Sequence, residues 1–438
     1  MSELAFFGGK PAVRAEDHVR WPVLGQEERE AVLRVLDRGV LSGPFAPEVR
    51  ALEAEWAKYL GSKWCLATNS GTAAIHMAMA AAGVGPGDEV IVPAFTFVAT
   101  ALAVLHQGAV PVFVDVEEKT FGMDPRRLEA AIGPKTKAVM PVHLHGTPCD
   151  IDAIAALCQK HRLVLIEDAA QAHGSTHRGR KVGTFGSIGC FSVQSSKSLA
   201  AGEGGLLVTD DEALWEKANR TRMFGENVKA GDESGYRIER ALDGNRAYDS
   251  LGMGWMYRTT ELSSAVCRAQ LTKLDRFNAQ AQKNAEILSR HLSELPGVTP
   301  PAPRPGDTSC YHKYRVVLDA KKAGVDAPPK VVRDALRAAL CAEGLEAVLW
   351  QTQPVPGQGL FKNKAGFGGR AFPFDQSPGV RYDLDQFATT TRLLDSSIVL
   401  FSHTCPIAPQ PAHLVEAYAE TFARVWKRLG DVVAKAKS

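Results

Sequence analysis

Between residues 60 and 210, short apolar runs alternate with segments of helical period, and that alternation carries the fold prediction. Residues 64–68 read as a strand, and 73–82 as a helix of small residues closed by Gly83. Strands at 89–92 and 110–116 flank a helix at 96–106, and strands at 138–142 and 163–166 flank a helix at 151–161. This order predicts an α/β fold, a mainly parallel sheet covered by helices on both faces, with ligands gathering beyond the carboxyl ends of the strands. A polar, glycine-containing excursion at 225–250 follows, then a long helical pattern from 260 to 295 that stops at the proline-rich 296–307. A strand at 311–318, a helix at 329–343 and a strand at 345–349 predict a second, smaller α+β unit. The glycine-rich stretch 355–370 reads as a loop over the ligand site.

Composition narrows the classes without choosing among enzymes. The 438 residues are 45% hydrophobic and 23% charged, ordinary for a soluble chain with room for two to three domains. Lys plus Arg number 51 against 49 Asp plus Glu, a formal +2 that gives no reason to expect nucleic acid or an anionic membrane as partner. The densest basic cluster, Arg178, Arg180 and Lys181, is explained by a solvated turn. Eight scattered cysteines with no C-x-x-C pair predict reduced thiols, not a zinc site or a disulfide framework. The start, MSELAFFGGKPAVR, does not read as a signal peptide, and no stretch approaches the ~20 apolar residues that cross a bilayer. A soluble, cytoplasmic protein is expected.

Three short stretches suggest chemistry, each with a plainer alternative. Thr68-Asn69-Ser70-Gly71-Thr72 lies between a strand and a helix, where Gly71 admits a ligand to the backbone and Thr72 adds a hydroxyl beside unpaired amides. That is a phosphate site or an ordinary helix cap. Asp168 ends a hydrophobic strand, as a carboxylate facing a ligand or a helix-capping Asp. Lys197 stands alone among small polar residues, after a strand holding Ser192 and before Gly202, Gly204 and Gly205. Desolvated, it would favour imine chemistry with a carbonyl; otherwise it is a solvated loop lysine. No G-x-G-x-x-G follows an early strand and no H-E-x-x-H run occurs, so neither a nicotinamide half nor a catalytic zinc is indicated. Together, a phosphate anchor, a carboxylate and a lysine are the parts that hold pyridoxal 5'-phosphate, the carboxylate keeping the ring nitrogen protonated.

At this point the chain resembles the DegT/DnrJ/EryC1/StrS family of pyridoxal-phosphate aminotransferases, which act on keto-sugars and cyclitols. Gly85-Pro86-Gly87-Asp88-Glu89-Val90, Pro93-Ala94-Phe95-Thr96-Phe97, Glu167-Asp168-Ala169-Ala170-Gln171-Ala172 and Gly202-Glu203-Gly204-Gly205 stand in the family's order. The resemblance implies a fold-type I transferase. Its parts would be an N-terminal segment, 1–30, packing on the small domain, a large cofactor domain, 31–260, and a small C-terminal domain, 261–438. It makes Lys197 the Schiff-base lysine, which, once freed by the donor amine, shuttles the proton between two carbons. Asp168 would pair with the pyridine nitrogen, Gln171 contact the ring hydroxyl, Phe97 cover the ring face, and Gly71, Thr72 and Ser192 hold the phosphate. For Phe97 a place in the core is the alternative. His143, in a family-like Pro-Val-His stretch, reads as a structural histidine. A homodimer with active sites at its interface is implied as well.

One departure stands out. Where the family carries an asparagine two residues before an arginine, reaching the partner subunit's phosphate, Leu251-Gly252-Met253-Gly254-Trp255-Met256-Tyr257-Arg258 places Met256. Arg258 remains as a contact for an acidic donor. Gln194-Ser195-Ser196-Lys197 resembles the cyclitol and aminobenzoate-precursor branch of the family. The expectation is transfer of an amino group from glutamine or glutamate to a keto-cyclitol or keto-sugar, in antibiotic or sugar biosynthesis. A keto-sugar dehydratase of the same fold would carry histidine in place of Lys197. A non-catalytic, cofactor-binding regulator would carry a DNA-binding segment that the sequence does not show.

Overall fold

A computed structural model describes residues 3–43, 46–226 and 250–437. Of the excursion at 225–250, residues 227–249 lie outside the described residues. Seven strands form the main sheet: β1 (Trp64–Thr68), β2 (Glu89–Pro93), β3 (Val110–Val114), β4 (Thr136–Val139), β5 (Val164–Asp168), β8 (Ile188–Ser192) and β9 (Gly205–Thr209); the two-residue strands β6 (Thr176–His177) and β7 (Arg180–Lys181) make a separate hairpin. Their order is β1-β9-β8-β5-β4-β2-β3, and only β9 runs against its neighbours. The α/β expectation is borne out.

Alternation along each strand explains the layering. Val90 and Val92 of β2 face one core with α3 (Gly71–Ala81) and α4 (Ala99–His106), while Ile91 faces the opposite core with Ile154 of the helix Ile151–His161. The fourth strand ends at Val139, short of the predicted 142, because Pro141 has no N–H to donate to a ladder. The long pattern at 260–295 divides into Glu261–Leu271 and Leu274–Leu292, turned at Thr272 and Lys273. The buried Lys273 ammonium meets Glu28 at 2.7 Å there. Cys267 and Leu274 pack with Leu52 and Trp56, whereas Ala281, Leu288 and Leu292 enter a second core.

That second core is built on an antiparallel sheet, β10 (Val298–Thr299), β11 (Tyr314–Leu318), β13 (Ser397–Leu400) and β12 (Ala347–Val348), in that order. The N-terminal Leu4 and Val13 are buried in it. The glycine-rich stretch does not lie over the ligand site. Val355, Phe361, Phe374, Tyr382 and Phe387 pack into the large core instead, along the edge strand β3. Phe361 meets Phe113 at 5.0 Å between ring centroids, and Tyr382 Oη donates to the Pro111 carbonyl at 3.0 Å. An edge strand needs a cover, and these aromatics provide it; the sequence shows the glycines of this stretch more plainly than its aromatic spacing.

Candidate active site

The strand registers set the site. Ser192 pairs with Gly205, Gly205 with Thr68, and Asp168 with Cys190 two residues before Ser192. Three chain segments therefore finish at one edge of the sheet, around a cavity of about 500 Å³. Gly71, Thr72, Phe97, Asp168, Gln171, Ser192 and Lys197 all line it.

Lys197 sits at the top of a folded-back loop joining β8 to β9. Backbone bonds from Val193 to the Gly204 carbonyl (3.0 Å) and from Ser195 to that of Gly202 (2.8 Å) zip the base together. Gly204, at φ +154°, lies where a Cβ would come 2.7 Å from Val193 Cγ2. The lysine backbone is held from both sides: its N–H donates to the Gln194 carbonyl at 2.8 Å, and its carbonyl accepts from Trp21 Nε1 at 3.1 Å. Burial lowers the proton affinity of the Lys197 amine, opposed by the Asp168 carboxylate. A solvated loop lysine would show no such shift.

Asp168 is buried, and no helix follows it to be capped. Its Oδ2 accepts from Thr100 Oγ1 at 2.8 Å and its Oδ1 from the Ala170 N–H at 3.1 Å; Thr100 is in turn bonded to Thr96 at 2.8 Å. Burial pushes the carboxyl up, against these two donors and the Lys197 amine. At the other end, Ser70 Oγ caps α3 by accepting from the Ala73 N–H at 3.0 Å, so the cap reading holds too. The first amides of the helix, at Gly71 and Thr72, have no carbonyl a turn earlier to donate to. A Cβ at Gly71 would lie 2.6 Å from Ser192 Cβ, so glycine alone lets the helix end and the strand end close on one small cradle.

Phe97 is 53% exposed and is no core residue. Gln171 Oε1 accepts from the His145 N–H at 2.9 Å. His143 is buried away from the cavity: Nδ1 accepts from the Cys149 N–H (3.3 Å), so Nε2 carries the proton facing Glu167 (2.9 Å), a structural arrangement. Arg258 is not brought to the cavity wall; it bridges to Thr68, and its Nε lies 3.1 Å from Met256 Sδ. Met256 itself is tied to the phosphate-side loop, its carbonyl accepting from Asn69 Nδ2 at 3.2 Å.

Sequence reasoning missed the wall contributed by the second unit: His312, Lys313, Trp350 and His403. Arg315, fully buried, shapes that wall by donating to His145 Nε2 (2.9 Å), Ser397 Oγ (2.7 Å) and the Trp350 carbonyl (2.6 Å). The cue available in the sequence was a run of three basic side chains, His312, Lys313 and Arg315, entering an apolar strand. All eight cysteines are free thiols, and among the described residues no group of His, Cys, Asp and Glu is arranged to hold a metal ion. Nor is any described helix long and apolar enough to cross a membrane.

Residues 22–376 match the DegT/DnrJ/EryC1/StrS aminotransferase family. Over 343 residues the chain is 39% identical to the L-glutamine:2-deoxy-scyllo-inosose aminotransferase of Streptoalloteichus tenebrarius, covering 77% of this chain and 79% of that one. It is 40% identical over 319 residues to the UDP-N-acetyl-3-dehydro-alpha-D-glucosamine 3-aminotransferase of Acidithiobacillus ferrooxidans, covering 72% and 78%. Among solved structures, 3-amino-5-hydroxybenzoic acid (AHBA) synthase superposes with a TM-score of 0.79 at 30% identity, over 95% of this chain and 99% of that one.

Proposed function

The chain belongs to the DegT/DnrJ/EryC1/StrS aminotransferase family, with the fold of type I pyridoxal-phosphate enzymes, and on that premise we propose that it binds pyridoxal 5'-phosphate at Lys197. It then moves an amino group from glutamine or glutamate to the ketone of a cyclic polyol, a keto-cyclitol or a keto-sugar. The observation that carries this reading is the convergence of a desolvated amine, a buried carboxylate and a glycine-built anion cradle on one cavity. The cofactor, when bound, supplies an electron sink for the carbanion formed next to the transferred nitrogen.

The residues divide that work. Lys197 Nζ would hold the cofactor and, once released, would carry the proton between the two carbons. Asp168, fixed by Thr100 and Ala170, would pair with the ring nitrogen and hold its proton in place. Gly71, Thr72 and Ser192 would donate to the phosphate, Gln171 would meet the ring hydroxyl, and the exposed Phe97 would cover the ring. Lysine at 197, not histidine, favours amino transfer over keto-sugar dehydration. The relatives at 39% and 40% identity take a keto-cyclitol and a nucleotide keto-sugar by name, which supports a cyclic ketone as the acceptor. Exposed Met256, tied to the cradle loop through Asn69, with the exposed Phe224, Leu251 and Met253 nearby in the chain, supports a homodimer whose partner closes the site. A cytoplasmic setting is in keeping with seven buried, unpaired thiols.

With cofactor bound, glutamine or glutamate is expected to change the visible absorbance in a single turnover, and a keto-cyclitol or nucleotide keto-sugar to restore it. No change with either donor overturns the donor assignment. Gly71→Ala is expected to weaken cofactor binding about 10-fold, since the added methyl overpacks the contact with Ser192. Titrating cofactor into the cofactor-free variant measures this.

A further inference from the structure

The cavity holds a second amine that the cofactor roles leave unused. Lys313 immediately precedes β11, is 7% exposed, and lines the same space as Lys197. A buried ammonium ordinarily has a carboxylate beside it, because desolvation makes an unpaired charge costly. Among the described residues nothing negative offsets Lys313; its Nζ lies 5.8 Å from the centre of the Trp350 ring. Burial, then repulsion from the Lys197 amine and the Arg315 guanidinium, pushes it down to about 7. The cavity carboxylate, Asp168, is already engaged by Thr100 and Ala170, and Glu203 sits at the exposed rim.

Position separates Lys313 from the phosphate. The anion cradle belongs to α3 and β8, whereas the Lys313 N–H donates to the His145 carbonyl at 3.3 Å. The His145 N–H in turn donates to Gln171, so Lys313 is held on the Gln171 side of the cavity, by the second unit. We propose that Lys313 is the carboxylate anchor of the amino donor: a cation on the small-domain wall that takes the donor's carboxylate while its amine reaches the cofactor. This rests on the aminotransferase reading above. Every amino-acid donor brings a carboxylate, whereas a keto-cyclitol is uncharged and a nucleotide keto-sugar carries its charge on a diphosphate remote from the ketone. Charge-assisted bonds of this kind are the strong ones in a dry site.

The test uses cofactor-loaded protein and glutarate, a dicarboxylate with no amine to transfer, titrated by its effect on cofactor absorbance. Lys313→Met keeps the apolar stem and is expected to weaken glutarate binding roughly 10- to 100-fold. Lys313→Arg, keeping the charge, is expected to hold affinity within a few-fold, and the donor KM should rise in Lys313→Met while the acceptor KM does not. Retained cofactor absorbance verifies that each variant is folded. Unchanged glutarate affinity in Lys313→Met overturns the proposal, as does weakened binding of uridine diphosphate with glutarate unaffected. If the unmodified protein shows no donor-driven absorbance change, the aminotransferase reading fails and this one with it. A normal donor response with glutarate binding insensitive to Lys313 removes the anchor alone.

Discussion

Lys197→Ala is expected to abolish amino transfer, a loss on the order of 10⁴-fold or more, because one side chain supplies both the attachment point and the proton carrier. The protein should remain folded. The loop that presents position 197 is closed by the bonds of Val193 and Ser195 to Gly204 and Gly202, and by Trp21 on the Lys197 carbonyl, none of which uses the amine. The visible band of the lysine-bound cofactor should vanish, and borohydride followed by peptide mapping should find an adduct on Lys197 in the parent only. Burial lowers the proton affinity of this amine, so cofactor capture by the parent should set in at lower pH than for a free lysine. Turnover and a visible band surviving in the alanine variant would remove the foundation of the functional reading.

Asp168→Asn should separate activity from stability. Asparagine keeps the shape, and its carbonyl still accepts from Thr100, but no charge remains to hold a proton on the ring nitrogen. The rate of the donor half-reaction is expected to fall about 10²- to 10³-fold, the scale of losing one preorganised charge partner. Stability should move the other way. Burial raises the Asp168 carboxyl in the folded state above its unfolded value of 3.8. A carboxyl raised on folding costs nothing below its unfolded value; the cost grows as pH climbs from there towards the folded value and is complete above it. The asparagine variant carries no such pH-dependent cost but loses the acceptor for the Ala170 N–H, so its melting temperature relative to the parent, measured without cofactor, should rise as pH climbs above 3.8. A variant within twofold of the parent in single-turnover rate would sink the assigned role.

Both effects depend on positions that could be read before any fold was known, and the reason is local. A strand's alternation and a glycine's freedom are written in a few neighbouring residues. The strand ends at Thr68, Asp168 and Ser192, with Gly71 and Gly204 beside them, were therefore legible as a ligand-binding edge. The ordered motifs around Lys197 pointed to the same family, and residues 22–376 match it.

Other features depend on contacts between segments far apart in the chain. Lys313 looks in sequence like any strand-flanking cation; only packing of the second unit against the first buries it beside Lys197. Thr100 reads as one more residue of an apolar helix, yet the crossing of α4 over the end of β5 makes it the donor that fixes Asp168. Glycines at 355–370 suggested a loop over the ligand site, and the aromatics among and beyond them closed over β3 instead, because packing there removes their rings from water and covers an exposed strand edge. The sequence by itself determined the sheet, the edge where its strand ends gather and the lone lysine beside it, since those depend on residues near one another in the chain. Tertiary structure alone decided which cation completes the pocket and where the glycine-rich stretch lies, since burial and charge pairing are set by neighbours that sequence distance does not reveal.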